Sequence, residues 1–189
     1  MRTAVESHRW MAVTGAVLAA LSTPCAAQEN VLLGRAVTVD DPHHRVGTDG
    51  GWCCGQLAEA STVTDGQFLP IGQQWNIDTV FWHSLKPWLV QLRVELDDVP
   101  MCITSVTLQG DNNDTYRIRG RTAAGHWYPL ANMRPVNGIG GMGVKMKVFA
   151  EPSAPVYAIG VAAIAGDSYY SVSELQATGI PLGDEGCVP

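Results

Sequence analysis

Apolar and polar residues alternate with a period of two through most of this chain. Leu92, Val94 and Leu96 alternate with Gln91, Arg93 and Glu95, and Tyr116 and Ile118 alternate with Arg117 and Arg119. Val144, Met146 and Val148 alternate with Lys145 and Lys147 in the same way. Successive side chains of a strand point to opposite faces, so each run reads as a half-buried strand with one wet face. Residues 103–108, 156–161 and 172–177 read as further strands. Turn-forming clusters separate the runs: Gly110-Asp111-Asn112-Asn113-Asp114, Ala124-Gly125, Asn137-Gly138, Glu151-Pro152-Ser153 and Ala165-Gly166-Asp167. No stretch after the first 27 residues holds a 3.6-residue period. Many short strands with regular turns predict an all-β domain: an antiparallel sandwich, jelly roll or barrel.

The first residues read differently. Arg2 and Arg9 flank a polar start, an apolar run follows from Trp10 through Leu21, and Cys25-Ala26-Ala27 closes it with small residues. This is the pattern of a secretory signal peptide cleaved after Ala27. The run is too short to span a bilayer, which takes about 20 apolar residues. Residues 28–189 then form one domain of ordinary size. The expected location is secreted or periplasmic. Of the 12 basic and 18 acidic residues, setting aside Arg2, Arg9 and Glu6 leaves 10 and 17, a net charge of −7. No Lys/Arg cluster stands in the sequence outside the leader. That balance disfavours nucleic acid or an anionic membrane as an electrostatic partner.

Four cysteines follow the leader: Cys53, Cys54, Cys102 and Cys187. An exported chain meets oxidising conditions, so disulfides are expected. Three pairings exist, and the sequence does not choose among them. A bond between neighbours 53 and 54 would be strained. Ties from 53 and 54 to 102 and 187 would staple an irregular early segment, residues 42–54, to the middle and end of the chain. Zinc is the weaker reading, because Cys53-Cys54 lacks the usual gap between ligands and His43-His44 stands in no helical ligand spacing.

Six motifs occur in an order that resembles the discoidin, or coagulation factor V/VIII type C, family. An opening strand runs Asn30-Val31-Leu32-Leu33-Gly34-Arg35-Ala36-Val37-Thr38-Val39. Val63-Thr64-Asp65-Gly66 follows, then Asp78-Thr79-Val80-Phe81-Trp82, then Trp88 and a strand ending Glu95-Leu96. Tyr116-Arg117-Ile118 leads to the turn Gly125-His126-Trp127, and Tyr170 to Gly179 match the closing strand. The chain departs from the family in the twelve residues between Asp65 and Asp78 and in the Cys53-Cys54 pair. The resemblance implies a galactose-binding-like jelly roll whose loops at one end bind ligands. It also implies a structural Ca²⁺, with Asp65, Thr79 and Glu174 at the family's positions and Asp78 as a further ligand. Calcium takes six to eight oxygen ligands in flexible geometry, which carboxylates, hydroxyls and carbonyls supply.

The family's register makes Tyr169, five residues before Glu174, an outward aromatic at the loop end. Sugar rings stack their apolar faces on aromatic rings and need donors and acceptors at their polar edges. His83 is a second candidate, and Asp111, Asn112 and Asn113 are candidate hydrogen-bonding partners. Trp88, Tyr116 and Trp127 are expected in the core. Trp52 and Trp75 fall outside the family pattern and are candidates for exposure.

Gly138-Ile139-Gly140-Gly141-Met142-Gly143 matches the dinucleotide fingerprint, but an alternating strand follows it where the fingerprint needs a helix. It reads as a glycine turn, with no nucleotide. No nucleophile elbow or metalloprotease helix is present, and Asp97-Asp98 are adjacent, so as strand residues they point to opposite faces. Asn113-Asp114-Thr115 is a glycosylation sequon, of consequence only in a eukaryotic source. The expectation is a non-catalytic exported module that recognises carbohydrate. The alternative is an adhesive or structural module that binds protein through the same loops.

Overall fold

The structure is a computed structural model, and it describes residues 29–43, 46, 58–96 and 99–188. The leader, Trp52, Cys53 and Cys54 lie outside the described residues. No helix among the described residues is long and apolar enough to cross a membrane.

Ten strands are described: β1 (Val37–Asp40), β2 (Val80–His83), β3 (Gln91–Glu95), β4 (Met101–Asp111), β5 (Thr115–Arg121), β6 (Trp127–Met133), β7 (Met142–Val148), β8 (Pro155–Val156), β9 (Ala158–Ala165) and β10 (Tyr169–Pro181). They pair antiparallel into two sheets, β1-β3-β9-β5-β6 and β2-β10-β4-β7, with β8 added beside β4. Alternation in β3 and β5 does what the sequence implies. Leu92, Val94, Tyr116 and Ile118 are buried between the sheets, and the arginines between them lie half-buried on the outer face. Trp82, Tyr170, Leu108, Ile159 and Leu175 fill the space from the remaining strands.

β7 departs from the expectation. The faces are reversed at its centre, where Lys145 is buried while Met146 and Val148 are 65% and 61% exposed, and the last three residues are exposed on both faces. The register sets Lys145 opposite Leu108, a core residue, and Met146 opposite Thr107 on the outer face. Lys145 reaches inward to donate from Nζ to the carbonyls of Asp111 (2.8 Å) and Gly110 (3.2 Å), and its ammonium lies 5.2 Å from the Tyr116 ring centroid. A long aliphatic stem with satisfied donors makes such burial tolerable.

The disulfide also departs from the expected ties. Cys102 pairs with Cys187, 85 residues away, and joins the start of β4 to the C-terminal turn. Both residues are buried. Closing a loop of that length restricts the unfolded chain by an amount worth about 4–5 kcal/mol in the chain-entropy account.

The glycine run 138–143 is structural. Gly141 has φ +63°, and a Cβ there would lie 2.3 Å from the Gln73 carbonyl oxygen. Only glycine lets the 70–76 loop press against this turn, where Gly72 N–H donates to Met142 O and Met142 N–H to Gln73 O.

Candidate functional site

One end of the sandwich gathers the end of β2, the start of β10, the β4–β5 turn, the β9–β10 turn and the loop before β3. The register places Tyr169 directly opposite His83 at the last pair of the β10–β2 ladder. Because side chains alternate, Tyr170 turns inward against Trp82, with ring centroids 5.8 Å apart, and Tyr169 turns to the opposite face. There Tyr169 sits between two rings, His83 at 4.8 Å and Trp75 at 5.5 Å. Trp75 packs edge-on against Phe81 at 5.4 Å. The segment between Asp65 and Asp78 thus contributes a ring to this stack.

Polar groups surround the rings. Asn113 is exposed and donates from its amide to Asp167 Oδ2 (2.7 Å), while Asp167 Oδ1 accepts from the Tyr169 backbone N–H (3.0 Å). On the far side of His83 lies a pocket of about 310 Å³ lined by His43, His83, Ser84, Leu85, Lys86 and Leu89. That volume is at the small end of ligand pockets. Leu85 and Trp88, 82% and 60% exposed, stand beside it in sequence. The expectation of a core position for Trp88 is therefore corrected. It lies in the one-turn 3-10 helix Pro87–Leu89, where a turn turns the indole outward. Trp127 is half-buried and Tyr116 fully buried. Asp167, Lys86 and Trp88 were not among the sequence candidates. Asp167 and Lys86 stand next to turn residues, which was the only signal for them.

Two of the expected hydrogen-bonding residues point inward. Asn112 is buried, and its amide is engaged: Nδ2 donates to the carbonyls of Val136 (2.7 Å) and Ile139 (2.9 Å), and Oδ1 accepts from Val136 N–H (2.9 Å). It anchors the glycine turn and presents nothing to the rim. Asp111 is buried as well.

Beneath the rim lies a carboxyl cluster. Asp114 is fully buried, and its Oδ2 lies 3.0 Å from the Tyr116 hydroxyl. That hydroxyl also lies 2.8 Å from Ser171 O and accepts from Ser171 N–H (3.1 Å). A hydroxyl has one proton, so it cannot donate to Asp114 and Ser171 O together. A protonated Asp114 resolves the conflict by donating to the hydroxyl, which is then free to donate to Ser171 O. Burial, with the Asp111 charge adding to it, pushes the Asp114 carboxyl up to about 8. Burial, with the charge of Asp167 adding to it, lifts Asp111 to about 6. Burial also draws the Lys145 ammonium down to about 8, against the pull of Asp114 and Asp111.

The expected metal ligands lie elsewhere, about the outer face of the second sheet, and the structure does not bring all four together. Asp65 and Asp78 line a pocket of about 380 Å³ together with Glu59, Thr62, Gln67 and Ser173. Asp78 has φ +54° in the left-handed region. Glu174 is fully buried beside Asp65; neither of its carboxylate oxygens makes a hydrogen bond of good geometry, and the Gly66 N–H and the Gln176 side chain are the groups that face it. Burial, with the charge of Asp65 among the further causes, raises Glu174 to about 7. Thr79 is buried, and its hydroxyl donates to Trp75 O (2.5 Å). Among the described residues, no three acidic, histidine or cysteine side chains converge on one point.

No protein-family model matches the chain, and no curated protein matches it. Solved structures do. The lectin domain of lectinolysin complexed with Lewis B antigen is similar at 12% identity and TM-score 0.53, over 80% of this chain and 97% of that one. A fucose-binding module of Streptococcus pneumoniae is similar at 11% identity and TM-score 0.52, over 81% and 96%. Chitosan-binding module 2 from a chitosanase/glucanase of Paenibacillus sp. IK-5, in complex with chitotriose, is similar at 18% identity and TM-score 0.50, over 79% and 100%. At such identities the likeness is one of fold. The chain has the galactose-binding-like, discoidin-type β-sandwich that these modules share.

The carboxyl cluster sets a pH dependence. The folded value for Asp114, about 8, lies above its ordinary 3.8. The stability it contributes is therefore fully present below about pH 4 and is lost as pH rises through 8. Melting temperature should fall between pH 5 and 8.5, and Asp114→Asn should flatten that fall. An Asp114→Asn variant whose melting temperature drops as steeply as the wild type would show that Asp114 is not the titrating group.

Proposed function

We propose that this chain is a non-catalytic, exported module that binds carbohydrate through the loops at the Tyr169 end of the sandwich. The observation that carries the reading is the stack of His83, Tyr169 and Trp75, bordered by Asn113, Asp167 and Lys86 and by a small open pocket. Rings offer a stacking surface for the apolar face of a sugar, and the bordering groups can meet its hydroxyls. The shared fold of three carbohydrate-binding modules supports the same reading. The predicted leader supports export.

Tyr169→Ala should weaken glycan binding by about 1–3 kcal/mol, roughly 5- to 150-fold, as expected for a central aromatic anchor. Tyr170→Ala should instead cost stability, about 3–5 kcal/mol as for other large core truncations. A titration of a glycan hit and a thermal melt on both variants separate the two roles. Full binding in the Tyr169→Ala variant would remove the ring stack from the site, and a glycan array blank for clean wild-type protein would favour protein adhesion.

We further propose that Ca²⁺ binds at Asp65, which neighbours Glu174 and shares a pocket with Asp78. These carboxylates do not converge on one point as they stand, so the ion would have to draw them together, with the Thr79 hydroxyl as a further oxygen donor. The support is the pair of Glu174 and Asp65: two neighbouring carboxylates, one of them fully buried and without a well-formed hydrogen bond, are costly when both are charged unless a cation meets them. The donors are all hard oxygens, which suits calcium. When bound, the ion would supply positive charge there and hold the 58–78 segment to β10. A ligand specific to the native state, present at 100 times its Kd, adds about 2.7 kcal/mol. Melts in excess Ca²⁺ and in EDTA should then differ by roughly 5–10 °C for a domain of this size. Glu174→Gln should abolish the difference. Coincident wild-type melts would overturn the proposal.

A further inference from the structure

The outer face of the first sheet carries a concentration of positive charge that no run in the sequence displays. Arg117, Arg119 and Arg121 alternate along β5 and therefore share one face. Two residues of strand span about 7 Å, so the three form a row of about 14 Å. Across the sheet, Arg119 is in register with Gly160, and Gly160 with Arg93. Four of the chain's 12 basic residues thus meet on one face of a protein whose net charge is −6. Among the described residues, Glu95 is the carboxylate that pairs with them, contacting Arg93 and Arg121.

This arrangement is costly by itself. Like charges on neighbouring positions of one face repel. Burial, together with the Arg117 charge, lowers the Arg119 guanidinium from its ordinary value. The Nε atoms of Arg119 and Arg121 are buried without an acceptor. The Trp127 ring lies against the Arg119 guanidinium, 5.6 Å from it. Trp127 also reaches across β5 to cover Gly160, where a Cβ would lie 3.0 Å from the indole and 2.5 Å from the Gln91 amide nitrogen. Glycine at 160 therefore keeps the floor of this face low enough for an indole to lie over it, beside a row of guanidiniums.

We propose that this face is a second binding surface, for a linear polysaccharide that carries repeated carboxylate or sulfate groups. Guanidinium forks match both anions in bidentate geometry. Evenly spaced arginines fit a polymer whose anions also repeat, and Trp127 offers a ring for the sugars between them. The net acidic surface opposes any polyanion, and it opposes nucleic acid most, because a duplex carries one charge per about 1.7 Å of its axis, denser than one anion per sugar. The proposal does not depend on the loop-end site and stands or falls separately from it.

The test uses the chain without its leader, titrated by calorimetry with polygalacturonate, dextran sulfate and unmodified dextran at low and raised salt. The expected result is binding to at least one polyanion, no binding to dextran, and weakening with salt. The two polyanion arms tell carboxylate from sulfate recognition. Arg117 donates to the exposed Asn132 side chain (3.1 Å) and lies on the outer face, away from the core, so Arg117→Gln should fold and should weaken binding by about fivefold or more. Glu95→Gln should tighten binding by removing the competing carboxylate, a gain that misfolding cannot imitate. Tyr169→Ala should leave polyanion binding unchanged. No binding to either polyanion, equal affinity in the Arg117→Gln and Glu95→Gln variants, or tighter binding to duplex DNA than to both polyanions would overturn the proposal.

Discussion

The hydroxyl of Tyr116 holds the two sheets together at the end where the candidate site lies. Tyr116 belongs to β5 in the first sheet, and its oxygen meets both the N–H and the carbonyl of Ser171 on β10 in the second. A buried hydroxyl between two sheets is stabilising only if every lone pair and proton finds a partner. Here Ser171 supplies two contacts and Asp114 the third. Ser171 lies two residues from Tyr169, so the contact that joins the layers also fixes the strand presenting the ring stack. The carboxyl cluster and Lys145 pack around the same point, which ties the protonation of a buried acid to the geometry of the rim.

β10 carries most of the consequences. Its first residues pair with β2 and set Tyr169 against His83. After the register shift between Val172 and Glu174 it continues along β4. That shift leaves Glu174 on the outer face, sealed under the 58–78 segment beside Asp65. One strand thus positions two sites: an aromatic, partly open one at the rim and a carboxylate one beneath a loop. The segment between Asp65 and Asp78 touches both, since Trp75 joins the ring stack and Asp78 lines the acidic pocket.

Much of this fold was legible in the sequence, because period-two alternation in β3 and β5 and the turn clusters between strands are local signals. That Tyr169 and Tyr170 face opposite sides was legible for the same reason, and the resemblance supplied which of the two turns inward. The reversed faces of β7 were not. Alternation says that a strand has two faces, and only pairing with Leu108 decides that Lys145 takes the inner one. Trp88 was misplaced because a motif gives order along the chain and says nothing of exposure. The Cys102–Cys187 bond was hidden because pairing depends on where distant strands end. The arginine face arises from register across β3, β9 and β5, so no window of sequence contains it. Asn112 looked like a rim residue because its neighbours are turn formers, yet its amide serves the glycine turn.

The proposed function depends most on the Tyr169 end receiving the ligand. Amide and aromatic NMR shifts, followed while fucose, galactose or chitotriose is added, test it most directly. Shifts concentrated at Trp75, His83 to Trp88, Asn113 and Asp167 to Tyr169, saturating together with one affinity, are the expected result. Saturable shifts centred on other residues, with the Trp75, His83 and Tyr169 resonances unmoved, would contradict it.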